Sequence, residues 1–81
     1  MRVRLRFFAA LREQIGAGGE RVVPSGTTVG ALWRGFVAER PDLGNLPVRF
    51  AVNATYVGAS HRLADGVELA IFPPVSGGGA P

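Results

Sequence analysis

Apolar and polar residues alternate strictly at the start of the chain. Between residues 2 and 7, every even position is an arginine and every odd position is Val, Leu or Phe. A period of two is typical of a strand that buries one face and leaves the other in water. Short apolar runs at residues 21–23, 48–52, 56–57 and 67–72 predict four more strands, the last of them preceded by an Asp-Gly turn.

A different period predicts the main helix. Apolar side chains recur with spacings of three and four over residues 29–37, which is the stripe of an amphipathic helix. Thr27 or Thr28 is the expected N-cap. Gly30 and Gly35 each weaken the intrinsic helix propensity by about 1 kcal/mol. Packing of the apolar stripe must therefore hold this helix in place.

The order of these elements indicates the fold class. Residues 9–15 predict a short helix after the first strand, residues 16–19 a turn, and residues 42–47 a loop after the main helix. Strands and helices in this order predict an α+β domain, with the main helix packed on one face of the sheet. We expect the domain to span residues 1–72, followed by a tail at residues 73–81.

Composition excludes several classes of function. The 81 residues include no cysteine and one histidine, His61, so disulfides, thiolate nucleophiles and Cys/His metal sites are excluded. The net charge is +3 and all nine basic residues are arginine, so no lysine is present to form a Schiff base. The chain has neither a basic cluster with interleaved aromatics nor an apolar run of transmembrane or signal-peptide length. We expect a cytoplasmic protein that binds no metal, nucleic acid or membrane.

The C-terminal segment has the most distinctive chemistry. Pro73 and Pro74 follow the last strand and hold φ near its extended value, which favours a tail that projects from the domain. Residues 77–79 are all glycine, and a backbone without Cβ atoms can enter a channel too narrow for other residues. Such a tail suits a protein whose reactive group is its own terminal carboxylate.

Several short segments together carry a family resemblance. The most specific is Pro-Pro-Val-Ser-Gly-Gly at residues 73–78, which follows an apolar strand. The others are Phe7-Phe8-Ala9, Leu11-Arg12-Glu13, Ala51-Val52-Asn53 and Leu63-Ala64-Asp65-Gly66. In these segments the chain resembles the ubiquitin-like β-grasp sulfur carriers, specifically the small subunits of molybdopterin synthase. The resemblance covers residues 1–78 and implies a mixed sheet packed on one main helix, with a flexible C-terminal tail.

The resemblance also implies a chemistry and a set of partners. In these carriers an E1-like enzyme uses ATP and magnesium to adenylate the terminal glycine carboxylate, and a sulfur donor converts it to a thiocarboxylate. The tail then inserts into the large subunit of molybdopterin synthase and delivers its sulfur. On this resemblance the chain is the non-catalytic sulfur-donor subunit of that synthase and binds no cofactor itself.

The family's spacing identifies the residues of the reactive tail. It places the mature terminus at Gly78, so a protease would have to remove Gly79-Ala80-Pro81; a cut one residue later would leave Gly79 as the terminus. The residues that insert into the partner's tunnel are then Pro73, Pro74, Val75, Ser76 and Gly77.

A docking patch and several other functions stay open at this point. Phe7 and Phe72 lie near the predicted tail exit, and either ring contributes to a hydrophobic docking patch if its side chain points outward. One alternative function is a noncovalent ubiquitin-like interaction module. Another is a sulfur carrier for thiazole synthesis or tRNA thiolation, or a protein modifier. A small nucleic-acid-binding domain ranks last.

Overall fold

The computed structural model describes residues 1–44 and 46–74 as five strands, two α-helices and one 3₁₀ turn. The strands are β1 (Arg2–Phe7), β2 (Gly18–Val22), β3 (Arg49–Val52), β4 (Thr55–Val57) and β5 (Glu68–Phe72). The helices are α1 (Ala9–Ile15) and α2 (Val29–Glu39), and the 3₁₀ turn is Pro41–Leu43. The expected α+β class is confirmed.

The five strands form one mixed sheet in the order β2-β1-β5-β3-β4. β1 and β5 run parallel, with Leu5 opposite Leu69 and Phe7 opposite Ile71. The other neighbouring strands are antiparallel. The last strand that the structure describes, β5, is therefore the central strand of the sheet and is paired on both sides.

Helix α2 packs on one face of this sheet. Thr28 is its N-cap, and the Thr28 hydroxyl accepts a hydrogen bond from the Ala31 N–H at 3.1 Å. Trp33 is half-buried and stacks on Phe36, with ring centroids 6.0 Å apart. The buried core combines the helix stripe with the inward side chains of the strands: Val3, Leu5, Phe7, Leu11, Val29, Leu32, Phe36, Leu43, Phe50, Val52, Leu63, Leu69 and Ile71.

Two local predictions were wrong in their boundaries. Gly18 and Gly19, expected in a turn, are the first residues of β2. Gly18 has a φ of 126°, and a Cβ at this position would overlap the carbonyl group of Leu5, so the close pairing of β2 with β1 requires glycine. The expected loop at residues 42–47 overlaps the 3₁₀ turn, in which Leu43 is fully buried.

A two-residue turn joins β3 to β4. Asn53 and Ala54 have φ angles of 48° and 70°, and positive φ at both central residues is characteristic of a type I′ hairpin turn. Asn53 tolerates this region, as expected from its side chain. Ala54 does not, because the left-handed conformation costs an L-residue with a Cβ about 1–2 kcal/mol.

Candidate functional site

The tail leaves the domain from the end of the central strand. In β5, Phe72 is paired with Arg49 of β3, and the carbonyl of Ile71 accepts a hydrogen bond from the Phe8 N–H at 3.3 Å. The backbone of β5 is therefore held from both sides up to Ile71, and by β3 alone at Phe72. Pro73 and Pro74 follow directly and are half-buried. The other predicted tail residues, Val75, Ser76, Gly77, Gly78 and Gly79, lie outside the described residues.

Phe7 does not belong to a docking patch, and this part of the prediction is corrected. Only 3% of its surface is exposed, and its ring lies 5.3 Å from that of Phe36, centroid to centroid. The reason is the alternation of β1, which turns Phe7 to the same side as Val3 and Leu5, and this is the side that α2 covers. Phe72, the second candidate, is half-buried at the tail exit.

The apolar surface at the exit lies on the opposite, open face of the sheet. Phe8, Tyr56, Ala70 and Phe72 line a shallow depression of about 360 Å³, and we call these four residues the open-face patch. Phe8 is 37% exposed and Tyr56 75% exposed. The Tyr56 and Phe72 rings lie 5.7 Å apart, centroid to centroid, in a tilted arrangement. Because exposed aromatic rings are contiguous here, this surface is suited to contact another protein.

Strand pairing brings these residues together from distant parts of the chain. Ala70 of β5 lies opposite Arg6 of β1 and Ala51 of β3, and Ala51 lies opposite Tyr56 of β4. The surface around the patch therefore spans four strands in register, with Ala70 and Ala51 side by side at its centre. Ala51 is buried, although strand alternation places it on the face opposite the core.

Sequence reasoning missed Phe8 and Tyr56 as site residues. A signal for Phe8 was present, because it continues the outward positions of the alternating arginines by one further step. No comparable signal existed for Tyr56, whose place in the patch depends on the pairing of β4 with β3.

Arginines stand on two sides of the open-face patch. The Arg6 guanidinium lies 5.4 Å from the centroid of the Phe8 ring, a distance at which the ring attracts a cation. It also lies 3.7 Å from the Glu68 carboxylate. On the other side, Arg49 lines an adjoining cavity of about 270 Å³ together with Tyr56 and Phe72.

The helix side of the domain has a different charge arrangement. The Arg21 guanidinium contacts the Glu39 carboxylate at 2.8 Å, and the hydrogen bond, with the charge of Arg21, holds the Glu39 pKa below its ordinary value. Arg40 contacts Asp42 at 3.1 Å and lowers the pKa of Asp42, chiefly through the hydrogen bond between them. These two arginines therefore have carboxylate partners within the chain.

Neither a membrane-spanning helix nor a metal-binding cluster is found in the part of the chain that the structure describes. Neither α1 nor α2 has the length and apolar character required to cross a bilayer. Residues 1–44 and 46–74 also place no three His, Asp or Glu side chains where they could jointly bind a metal ion.

Comparison with known proteins finds a matching family, a related sequence and similar structures. The ThiS family profile matches residues 5–78. The chain is 40% identical over 81 residues to the molybdopterin synthase sulfur carrier subunit of Escherichia coli (strain K12), with 94% of this chain and 99% of that protein covered. Its fold is similar to that of the candidate molybdopterin converting factor, subunit 1, of Pyrococcus furiosus (TM-score 0.83, 27% identity, 93% and 99% of the two chains covered). It is also similar to small archaeal modifier protein 1 of Haloferax volcanii (TM-score 0.78, 26% identity, 91% and 98% covered).

Proposed function

Because this chain belongs to the ThiS family, we propose that it is a cytoplasmic sulfur carrier of molybdenum cofactor biosynthesis. It delivers sulfur, as a C-terminal glycine thiocarboxylate, to the large subunit of molybdopterin synthase. The 40% identity to a molybdopterin synthase sulfur carrier subunit supports this pathway. The observation that carries the proposal is the position of β5, because a central strand, paired on both sides, leads directly into Pro73 and the glycine-rich segment.

The chemistry requires an external activating enzyme. A carboxylate resists nucleophilic attack until one of its oxygens becomes a good leaving group. An E1-like enzyme attaches AMP from ATP to that oxygen, with pyrophosphate released and magnesium bound by the enzyme. A sulfur donor then forms the carbon–sulfur bond as AMP leaves, which yields the thiocarboxylate. This chain supplies the carboxylate and an unhindered glycine backbone.

We place the reactive carboxylate on Gly78. The family match ends at this residue, which supports a mature terminus there. A protease that cuts after Gly78 removes Gly79-Ala80-Pro81. Removal matters because a proline at the end of the tail has a ring and a fixed φ, which obstruct both adenylation and entry into a narrow channel. A cut after Gly79 gives the same chemistry with a tail one residue longer.

The tail delivers its end from a rigid base. Extended at about 3.1–3.3 Å per residue, residues 73–78 reach about 20 Å from Phe72. The segment from Pro73 to Gly77 occupies the tunnel of the large subunit, and the open-face patch beside the exit docks on the subunit's surface. Docking and insertion are coupled because Phe72 belongs to the patch and directly precedes the tail.

Intact mass spectrometry of the untagged protein from its own cells tests this function. We expect a species that ends at Gly78, with a fraction in which sulfur replaces one oxygen. A Gly78→Ala variant should fold normally and should acquire no sulfur in the presence of the activating enzyme. A single species that ends at Pro81 and never acquires sulfur beside that enzyme would refute the carrier function.

A second candidate function is supported by the similarity to small archaeal modifier protein 1. A protein modifier uses the same activated carboxylate but transfers the carbonyl carbon to an amine instead of transferring sulfur. The two functions differ in their products, because a modifier leaves this chain covalently attached to other proteins. Deletion of residues 77–81 distinguishes both functions from that of a noncovalent ubiquitin-like interaction module. Such a module would keep its affinity for a partner after the deletion, whereas a carrier or a modifier would lose its reactive end.

A further inference from the structure

We propose that the open-face patch fits a partner surface with an apolar centre flanked by carboxylates. We assign this surface to the large subunit of molybdopterin synthase, so the inference rests on the function proposed above and adds the chemistry of its interface. Charge complementarity carries the argument, because the patch is flanked by arginines that project from the same face of the sheet.

The charge on the open face is unbalanced. Strand alternation and register place six charged side chains there: Arg2, Arg4, Arg6, Arg49, Glu20 and Glu68. Four arginines against two glutamates leave two positive charges, out of a net charge of +3 for the whole chain. The arginines on the helix side that contact carboxylates, Arg21 and Arg40, add no comparable excess because each is neutralised within the chain.

Two of these arginines border the patch directly. Arg6 lies over Phe8, and its pairing with Glu68 at 3.7 Å is long and exposed, so it retains charge that a partner can use. Arg49 lies beside Tyr56 and Phe72 and forms no ion pair with the carboxylates that the structure describes. A partner with carboxylates on both flanks satisfies these two cations as its apolar centre covers the rings.

The composition of the surface agrees with this type of interface. Protein interfaces are enriched in aromatic residues and arginine, with apolar residues at the centre and charges at the rim. Here the small side chain of Ala70 leaves room for an inserted apolar residue between the Phe8, Tyr56 and Phe72 rings. Rim charges of this kind act mainly on the association rate and on its dependence on salt.

The experiment compares two charge reversals at exposed arginines. Arg49→Glu alters the flank of the patch. Arg34→Glu is the matched control, because Arg34 is exposed on α2, the helix on the other face of the sheet. Association of each processed variant with purified large subunit is measured by surface plasmon resonance between about 20 and 500 mM salt. Circular dichroism verifies that both variants fold.

We expect Arg49→Glu to slow association at least tenfold at low salt, with the difference shrinking as salt screens the charges. Arg34→Glu should associate like the unmodified chain, and Arg49→Lys, which keeps the charge, should lie close to it. Equal association rates for Arg49→Glu and Arg34→Glu would overturn the inference while leaving the carrier function intact. Failure of the unmodified chain to bind the large subunit would refute the proposed function and this inference with it.

Discussion

Replacing each of two glycines in α2 by alanine should have different effects on stability: Gly35→Ala should stabilise the protein, and Gly30→Ala should not. Gly30 and Gly35 lie in the same helix, and by helix propensity alone both replacements should stabilise the protein by about 0.8–1.0 kcal/mol. The surroundings of the two residues differ. A Cβ at Gly35 meets no atom within 4 Å, whereas a Cβ at Gly30 would lie 2.8 Å from the Cβ of Ala59 and 3.1 Å from its carbonyl oxygen.

The contact at Gly30 cannot relax easily. The Gly30 N–H donates a hydrogen bond to the Ala59 carbonyl at 2.8 Å, and the neighbouring Val29 N–H donates to the His61 carbonyl at 2.9 Å. These bonds tie the start of α2 to the loop that Ala59 belongs to. Overpacking of this kind costs about 1–3 kcal/mol, which outweighs or cancels the gain in helix propensity. Gly30→Ala should therefore lower the free energy of unfolding by about 0–2 kcal/mol.

The assay is thermal and urea denaturation of the two variants beside the unmodified chain. Gly35→Ala should raise the melting temperature by roughly 4–8 °C, the shift expected for about 1 kcal/mol in a domain of this size. Gly30→Ala should leave it unchanged or lower it. The difference in unfolding free energy between the two variants should be about 1–3 kcal/mol.

A third substitution isolates the steric cause. Ala59→Gly removes the Cβ that Gly30→Ala would meet at 2.8 Å. A double-mutant cycle should therefore give a favourable coupling between Gly30→Ala and Ala59→Gly. Equal stabilisation by Gly30→Ala and Gly35→Ala would refute the reasoning, since it would show that the loop yields without cost.

Three further predictions follow from other contacts. Ala54→Gly should stabilise the protein by about 0.5–1 kcal/mol in urea denaturation, because relief of a left-handed residue exceeds the added flexibility of glycine; a loss of stability would contradict the assigned turn. Phe7→Ala should cost about 3–5 kcal/mol as a core truncation, whereas Phe8→Ala should cost about 1 kcal/mol or less and weaken binding to the large subunit instead; similar losses of stability would argue against opposite faces. The Glu39 pKa is lowered in the folded state, so its contribution to stability is present above the ordinary glutamate pKa, about 4.3, and is lost as the pH falls through the lowered value. A Glu39→Gln variant should therefore lose less stability than the unmodified chain between pH 5 and pH 3, and parallel pH profiles would show that the Arg21 contact is absent in solution.

The fold was predictable where a pattern is local. The alternation in β1 identified its inward face, and the three-and-four spacing in α2 identified the stripe that is buried. Both predictions succeed because a regular backbone repeats its side-chain directions with a fixed period, whatever it packs against. Strand β2 was less predictable. Its two glycines are typical of turns, and their place in a strand depends on the close approach of Leu5.

The candidate site was predictable only in part, because a docking surface depends on residues that are distant in the sequence. The sequence predicts Phe72 as a docking residue, and its position at the end of β5 follows from the apolar run alone. The sequence also suggested Phe7 as a docking residue, although the alternation in β1 places Phe7 on the inward face. Tyr56 joins Phe72 only because β3 lies between β4 and β5 in the sheet.

The sequence by itself determined most of the strands, the main helix and the fold class, because these depend on periodicity and on the identity of a few neighbouring residues. Only the tertiary structure decided the order of the strands, which aromatic rings meet on the open face, and which glycine of α2 tolerates a Cβ. The physical reason is that burial and strand order are set by contacts between segments far apart in the chain. Phe8, Tyr56 and Phe72 form one surface because the last strand is inserted between β1 and β3.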